Sequence, residues 1–218
     1  MEIFLDTANI DQIKQATKLG VISGVTTNPT LLAKEGRDDY EAVIKEISAI
    51  VSGPISAEVV VEGVEPMLEQ ARQIAAWAPN VVIKIPVTAE GLEVTSILTG
   101  EDIKVNMTLC FSLNQALLGA LAGADYISPF VGRLDDIGDD GMQLVADIVK
   151  MYKEYDFPTG VIAASIRHPQ HCVAAARVGA DIATVPYNVL MQMIRHPLTD
   201  AGLKSFLDDW RRVAKNTT

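Results

Sequence analysis

The sequence predicts an α/β fold: a single (β/α)8 TIM barrel over residues 1–218, with an additional C-terminal helix in an extension over 199–218. Three observations carry this. Short apolar runs rich in β-branched residues alternate with stretches of helical spacing along the whole chain. About eight such units fit within it. No linker or change of composition divides the 218 residues, and the connections are short. The chain is shorter than the ~250 residues typical of such barrels, so its loops must be lean. A doubly wound open sheet remains the alternative, because alternation alone does not separate a closed barrel from an open sheet. No Gly-x-Gly-x-x-Gly follows an early strand, which weakens a dinucleotide-binding version.

The elements follow in order. Residues 2–6 are an apolar run ending in Asp6. Residues 8–19 set Ile10, Ile13, Ala16 and Leu19 at helical spacing and stop at Gly20. A second strand, 21–26, runs into Thr26-Thr27-Asn28-Pro29-Thr30. Residues 38–51 are amphipathic, with Val43, Ile44, Ile47 and Val51 on one face; Gly53-Pro54 is a turn. Strand 55–61 carries Glu58. Helix 65–77 ends before Pro79, and strand 81–86 carries Lys84. Helix 90–98 precedes strand 103–109, which carries Asn106 and Thr108. Helix 112–121 ends at Gly123. Strand 126–130 leads to Val131-Gly132-Arg133, and a long helix spans 141–155. Strand 160–165 leads to Ile166-Arg167. Helix 169–178 is closed by Gly179, strand 181–186 is the eighth, and helices follow over 188–194 and 203–213.

Composition narrows the function classes. The chain is 49% hydrophobic and 21% charged, ordinary for a globular protein, and with 6% aromatics its core must be aliphatic. A net charge of −10 argues against general nucleic-acid or anionic-membrane binding. No apolar run reaches the ~18 residues of a membrane span. The acidic start, Met1-Glu2-Ile3-Phe4-Leu5-Asp6, lacks the basic region of a signal peptide. Cys110 and Cys172 have neither metal nor redox spacing, so reduced thiols in a cytoplasmic protein are expected. His168, His171 and His196 lie near helix ends and read as surface or capping residues, so no metal site and no cofactor is expected.

Lys84 stands alone inside the run Asn80-Val81-Val82-Ile83-Lys84-Ile85-Pro86-Val87-Thr88. Burial disfavours an ammonium, so a lysine held in such a strand becomes a usable amine nucleophile. A salt-bridged core lysine, or one reaching solvent at the strand end, would give the same pattern. Barrel enzymes draw their catalytic groups from the C-terminal ends of several strands. This chain has a polar residue at nearly every one: Asp6, Thr26 with Asn28, Glu58, Lys84, Asn106 with Thr108, Ser128, and Ser165 with Arg167. Arg133 lies just past the sixth. Singly, each has an ordinary explanation as a helix cap, a turn residue or a solvent-facing side chain. Together they would put two carboxylates, a lysine and several hydroxyls at one mouth. Such a set suits metal-free class I aldol chemistry, in which an amine forms an iminium and a carboxylate moves the proton. Arg133 and Arg167 offer planar forks that suit a phosphate, although Asp135 and Asp136 stand close enough in sequence to pair with Arg133.

Seven ordered segments give the chain a recognisable pattern: Leu5-Asp6-Thr7-Ala8, Gly24-Val25-Thr26-Thr27-Asn28-Pro29, Ser56-Ala57-Glu58-Val59, Val82-Ile83-Lys84-Ile85-Pro86, Asn106-Met107-Thr108-Leu109, Ser128-Pro129-Phe130-Val131-Gly132-Arg133 and Ala164-Ser165-Ile166-Arg167. With them the whole chain resembles the transaldolase family, in the small branch that also holds the fructose-6-phosphate aldolases. The resemblance implies a Schiff base on Lys84, Asp6 as acid/base at the cleaved bond, and Glu58 with Thr108 around a catalytic water. It implies Asn28, Asn106 and Ser128 around a dihydroxyacetone unit, with Phe130 lining the site and Thr26 among the substrate-binding residues. Arg133, Ser165 and Arg167 would hold the phosphate. Ile166 departs from the Phe that larger relatives often carry.

Aldolase relatives typically have Gln and Tyr where this chain has Glu58 and Phe130. The expectation is therefore a transaldolase of the pentose phosphate pathway, moving dihydroxyacetone between sugar phosphates. An aldolase releasing free dihydroxyacetone is the alternative, and a non-catalytic sugar-phosphate-binding barrel a third. The resemblance also implies a homo-oligomer, a decamer of two pentamers. Leu203, Phe206, Leu207 and Trp210 at helical spacing add an apolar face that would seek a partner or pack on its own barrel.

Overall fold

A computed structural model describes residues 1–215. Its eight strands are β1 (Glu2–Asp6), β2 (Gly24–Thr26), β3 (Ile55–Glu58), β4 (Val81–Pro86), β5 (Val105–Cys110), β6 (Tyr126–Pro129), β7 (Gly160–Ala163) and β8 (Ile182–Val185). Each pairs in parallel with the next, and β8 returns to β1 through Leu5 and Val185. The sheet is closed, which rules out the open alternative.

The helices after each strand are α1 (Ile10–Lys18), α2 (Pro29–Lys34), α3 (Tyr40–Ser48), α4 (Val64–Ala75), α5 (Ala89–Gly100), α6 (Leu113–Leu121), α7 (Val131–Asp135), α8 (Gly141–Glu154), α9 (Pro169–Val178), α10 (Tyr187–Ile194) and α11 (Pro197–Lys215). Two of these short helices, α2 and α7, lie where the sequence suggested only loops. In α2 the Asn28 side chain accepts from the Leu31 N–H, and Pro29 fills the first helical position. The expected strand 55–61 stops at Glu58, because Val60 N–H leaves the ladder for the Gln70 side chain.

Alternation along the strands sorts side chains between two cores. Leu5, Val25, Ile55, Ile83, Ile85, Val105, Met107, Ile127, Val161 and Val185 face outward and join the cluster under the helices with Ile13, Ile44, Leu68, Leu98 and Ile148. The opposite set faces the barrel interior. At its floor Phe4, Ile162 and Ile182 form a separate plug, with Tyr126 against it. Gly24 is forced by this plug, since a Cβ there would lie 2.7 Å from the Phe4 ring. Two residues further along the same strands, the inward positions turn polar: Asp6, Thr26, Ser128 and Thr184. The interior is thus apolar at the floor and polar at the mouth.

Helix α11 starts at Pro197 and is longer than the 203–213 stretch read from the sequence. Its apolar face does not pack on its own barrel. Leu203 is 58% exposed, Phe206 74%, Leu207 48% and Trp210 70%. Residues 216–218 of the expected extension lie outside the described residues. Among the described residues, no helix is long and apolar enough to cross a membrane.

Candidate active site

A cavity of about 560 Å³ opens at the C-terminal ends of the strands. Asp6, Thr26, Asn28, Glu58, Lys84, Ser128, Phe130, Arg133, Ser165 and Arg167 all line it. Asn106 and Thr108 do not; both are fully buried on β5.

Parallel register sets the central pair. Glu58 on β3 stands opposite Lys84 on β4, and Lys84 Nζ lies 3.0 Å from Glu58 Oε2. The same amine donates to the Thr27 carbonyl at 3.4 Å. Lys84 is only 6% exposed, yet it faces the cavity. The structure thus has the salt-bridged lysine that the sequence allowed, set where it faces the cavity.

Asp6 sits on the strand between β2 and β8. Its Oδ1 accepts from Thr26 Oγ1 at 2.8 Å, and Thr26 in turn contacts the Thr184 hydroxyl. Desolvation pushes the Asp6 pKa above its ordinary value; attraction to Lys84, the Thr26 hydrogen bond and attraction to Lys34 offset this only in part. Beneath the cavity, Ser128 donates to Asn106 Oδ1 at 2.7 Å, and Asn106 Nδ2 donates to Ser56 Oγ at 3.0 Å. Asn106 is thereby fixed in orientation. Thr108 Oγ1 is buried and has no protein partner among the described residues. Buried hydroxyls are rarely left so.

Backbone irregularity brings further groups to the mouth. The β5–β6 register shifts between Met107 and Cys110, and Leu109 has a left-handed φ of 55°. Alternation would turn Leu109 outward; the bulge re-aims it into the cavity. Ser165, with φ of 59°, is re-aimed in the same way after β7. Its carbonyl accepts from Gly132 N–H at 3.1 Å. A Cβ at Gly132 would lie 2.3 Å from that oxygen, so the close approach of the two loops requires glycine.

The two arginines differ. Arg133 lies over the Phe130 ring, its guanidinium carbon 5.1 Å from the centroid, and no carboxylate is in ion-pair range among the described residues. Arg167 pairs with Asp136 at 2.8 Å. Asp135 instead meets His171, whose Nε2 lies 2.9 Å away. His171 Nδ1 accepts from Arg167 N–H at 3.3 Å, and its ring lies 3.8 Å from that of His168. So neither histidine caps by its side chain: His168 occupies the N-cap position of α9 without a side-chain bond. His171 instead ties the Arg167 loop to α7. Burial and the neighbouring His168 hold its pKa below the usual imidazole value. Among the described residues, no three His, Cys, Asp or Glu side chains gather so as to hold a metal.

Sequence reasoning missed Tyr40. Its hydroxyl accepts from Glu58 N–H at 2.8 Å, so it donates to Thr27 Oγ1 at 3.0 Å, which donates to the Ser56 carbonyl at 2.8 Å. This relay replaces ladder bonds where the β2–β3 pairing stops after two residues. It fixes the strand ends beneath Glu58 and Lys84. Burial raises the phenol to about 12, so it stays neutral. Lys34 and Thr184 also line the cavity and were missed.

A site with one sheltered amine and two carboxylates can do carbonyl and proton-transfer chemistry. The comparisons with known proteins agree in kind. Residues 3–217 match the family described as Transaldolase/Fructose-6-phosphate aldolase. The chain is 65% identical over 216 residues to a protein named "Probable transaldolase" from Dehalococcoides mccartyi, covering 99% of this chain and 100% of that one. It is 60% identical over 213 residues to one of the same name from a Thermoanaerobacter species, covering 98% of each. A solved structure, a thiamine phosphate pyrophosphorylase from Pyrococcus furiosus, superimposes with a TM-score of 0.58 over 85% of both chains at 15% identity, and shows the fold alone. The chain belongs to the Transaldolase/Fructose-6-phosphate aldolase family and is an enzyme of the aldolase kind.

Proposed function

We propose that this enzyme is a transaldolase that carries a dihydroxyacetone unit on Lys84. The observation that carries the reading is the Lys84 amine, sheltered at the cavity floor beside Glu58 with Asp6 in the same mouth. The donor is a ketose phosphate such as fructose 6-phosphate or sedoheptulose 7-phosphate. Glu58 takes the ammonium proton, and the neutral amine attacks the C2 carbonyl. Loss of water from the carbinolamine, with Glu58 and a water at Thr108 passing protons, gives the iminium. Asp6 then takes the proton of the C4 hydroxyl. The C3–C4 bond breaks, its electron pair moves into the iminium to form an enamine, and an aldose phosphate leaves. An incoming erythrose 4-phosphate or glyceraldehyde 3-phosphate accepts the enamine carbon, and protonated Asp6 returns its proton to the new hydroxyl. Water then frees the product from Lys84.

Arg133, with no acid partner among the described residues, is the first candidate for the substrate phosphate; Arg167 can turn to it by exchanging Asp136. Phe130 supports transfer over release. A phenyl ring has no proton to give the enamine, so the intermediate waits for an aldehyde. Assays of fructose 6-phosphate with and without erythrose 4-phosphate test this, with unphosphorylated fructose as a second donor. Transfer should exceed dihydroxyacetone release by about tenfold or more, and fructose should be the poorer donor. Equal rates of transfer and release would make it an aldolase, and no turnover at all a binding protein.

We further propose a homo-oligomer, a decamer of two pentamers, sealed by α11. An exposed row of Leu203, Phe206 and Trp210 supports burial against a second copy. Sedimentation should give an assembly many times the monomer mass. A stable monomer at micromolar concentration would refute it.

A further inference from the structure

We infer that Thr184 is a positioning residue for Asp6, acting through Thr26: its hydroxyl fixes the direction in which Thr26 gives its proton. The inference rests on the reading of Asp6 as the acid/base above. Strand β1 lies between β2 and β8, so the inward residues of those flanking strands meet beside Asp6. Thr26 is 2% exposed and Thr184 4%, which leaves little water to satisfy either hydroxyl. A carboxylate only accepts, so the single proton of Thr26 goes to Asp6 Oδ1. Thr26 can then only accept from Thr184, and Thr184 must donate. The chain runs one way, Thr184 to Thr26 to Asp6. Each bond polarises the next, so Thr184 strengthens the bond that holds Asp6 ionised and orients its carboxylate. Oδ2 has no protein hydrogen-bond partner among the described residues and is left for the substrate hydroxyl.

Several charges act on Asp6 from the surrounding elements: Lys84 on β4 and Lys34 on α2 favour its charged form, and Glu58 on β3 opposes it. None of them touches the Thr184–Thr26 pair through a hydrogen bond among the described residues. Removing the Thr184 hydroxyl therefore subtracts one influence and leaves the others.

The test is the pH profile of kcat/KM for fructose 6-phosphate with erythrose 4-phosphate. Thr184→Val should lose roughly 3- to 10-fold near neutral pH, and its acid limb should move up by about half a pH unit. Thr184→Ser should restore both. Thr184→Ala serves as a second variant should the valine fail to fold, with the same limb expected to move. An acid limb that stays put, whatever the rate does, overturns the inference, as does a change confined to KM. Asp6→Asn in the same assay separates the two ideas. A dead Asp6→Asn with an unmoved Thr184→Val limb refutes only the inference, whereas an active Asp6→Asn refutes the acid/base reading beneath it.

Discussion

Lys84→Met is expected to abolish the borohydride-trapped adduct with fructose 6-phosphate and to lower kcat/KM by roughly 10⁴-fold or more. Methionine approximates the length and the apolar stem of lysine but has no amine, so the first bond of the reaction cannot form. The change also leaves the Glu58 carboxylate without the ammonium that lies 3.0 Å from it. Glu58 faces the cavity, so water or a proton can compensate, and the fold should survive with reduced stability. Intact-mass and peptide analysis of the trapped wild-type protein should find one adduct, on Lys84. The informative competitor is Lys34, the other lysine lining the cavity. Lys104 adjoins the start of β5, where its carbonyl accepts from Ile83 N–H, at the other end of the barrel. An adduct on Lys34, or one that persists in Lys84→Met, would remove Lys84 from its role.

What made Lys84 legible was chain chemistry of a simple kind. A single ammonium inside a β-branched run has to be either paired or functional, and strand periodicity put it on the face opposite Ile83 and Ile85. Asp6 was legible as an acid closing an apolar run, and Glu58 as an acid carried within one. Alternation alone did not show that the sheet closes, because closure depends on the pairing of β8 with β1 across nearly the whole chain; the count of about eight units pointed to it. Thr184 was invisible for a different reason: a threonine in a strand looks like any residue of high β-propensity. Leu109 and Ser165 reach the cavity only through left-handed backbone, and sequence alternation assigns both to the wrong face. The partners of the arginines also escaped it. Asp136 was available to Arg133 in sequence, but it pairs with Arg167 once the two loops are brought together through Gly132.

Asp6→Asn should uncouple activity from stability. The desolvated mouth raises the Asp6 pKa above 3.8 despite the attraction of Lys84. A carboxyl raised in the folded state binds more protons there than in the unfolded chain. Its stabilising contribution is complete below the unfolded pKa and is lost as the pH climbs through the folded pKa. At neutral pH the ionised group is therefore a net cost that the fold carries for function. Asparagine keeps an oxygen that can accept from Thr26, removes the charge, and leaves Lys84 paired with Glu58. It cannot take the proton of a C4 hydroxyl. Transfer should fall by about 10²- to 10⁴-fold, the range for loss of a general acid/base. Thermal stability at pH 7 should instead rise, by on the order of 1 kcal/mol, as happens when a strained functional group is replaced. The gain should shrink as the pH is lowered toward 4, because the wild-type carboxyl then becomes neutral in place. Paired melting curves at pH 4 and pH 7 measure this directly. A variant less stable than wild type at pH 7 would mean that attraction to Lys84 outweighs desolvation. Retained transfer activity would mean that another group moves the proton.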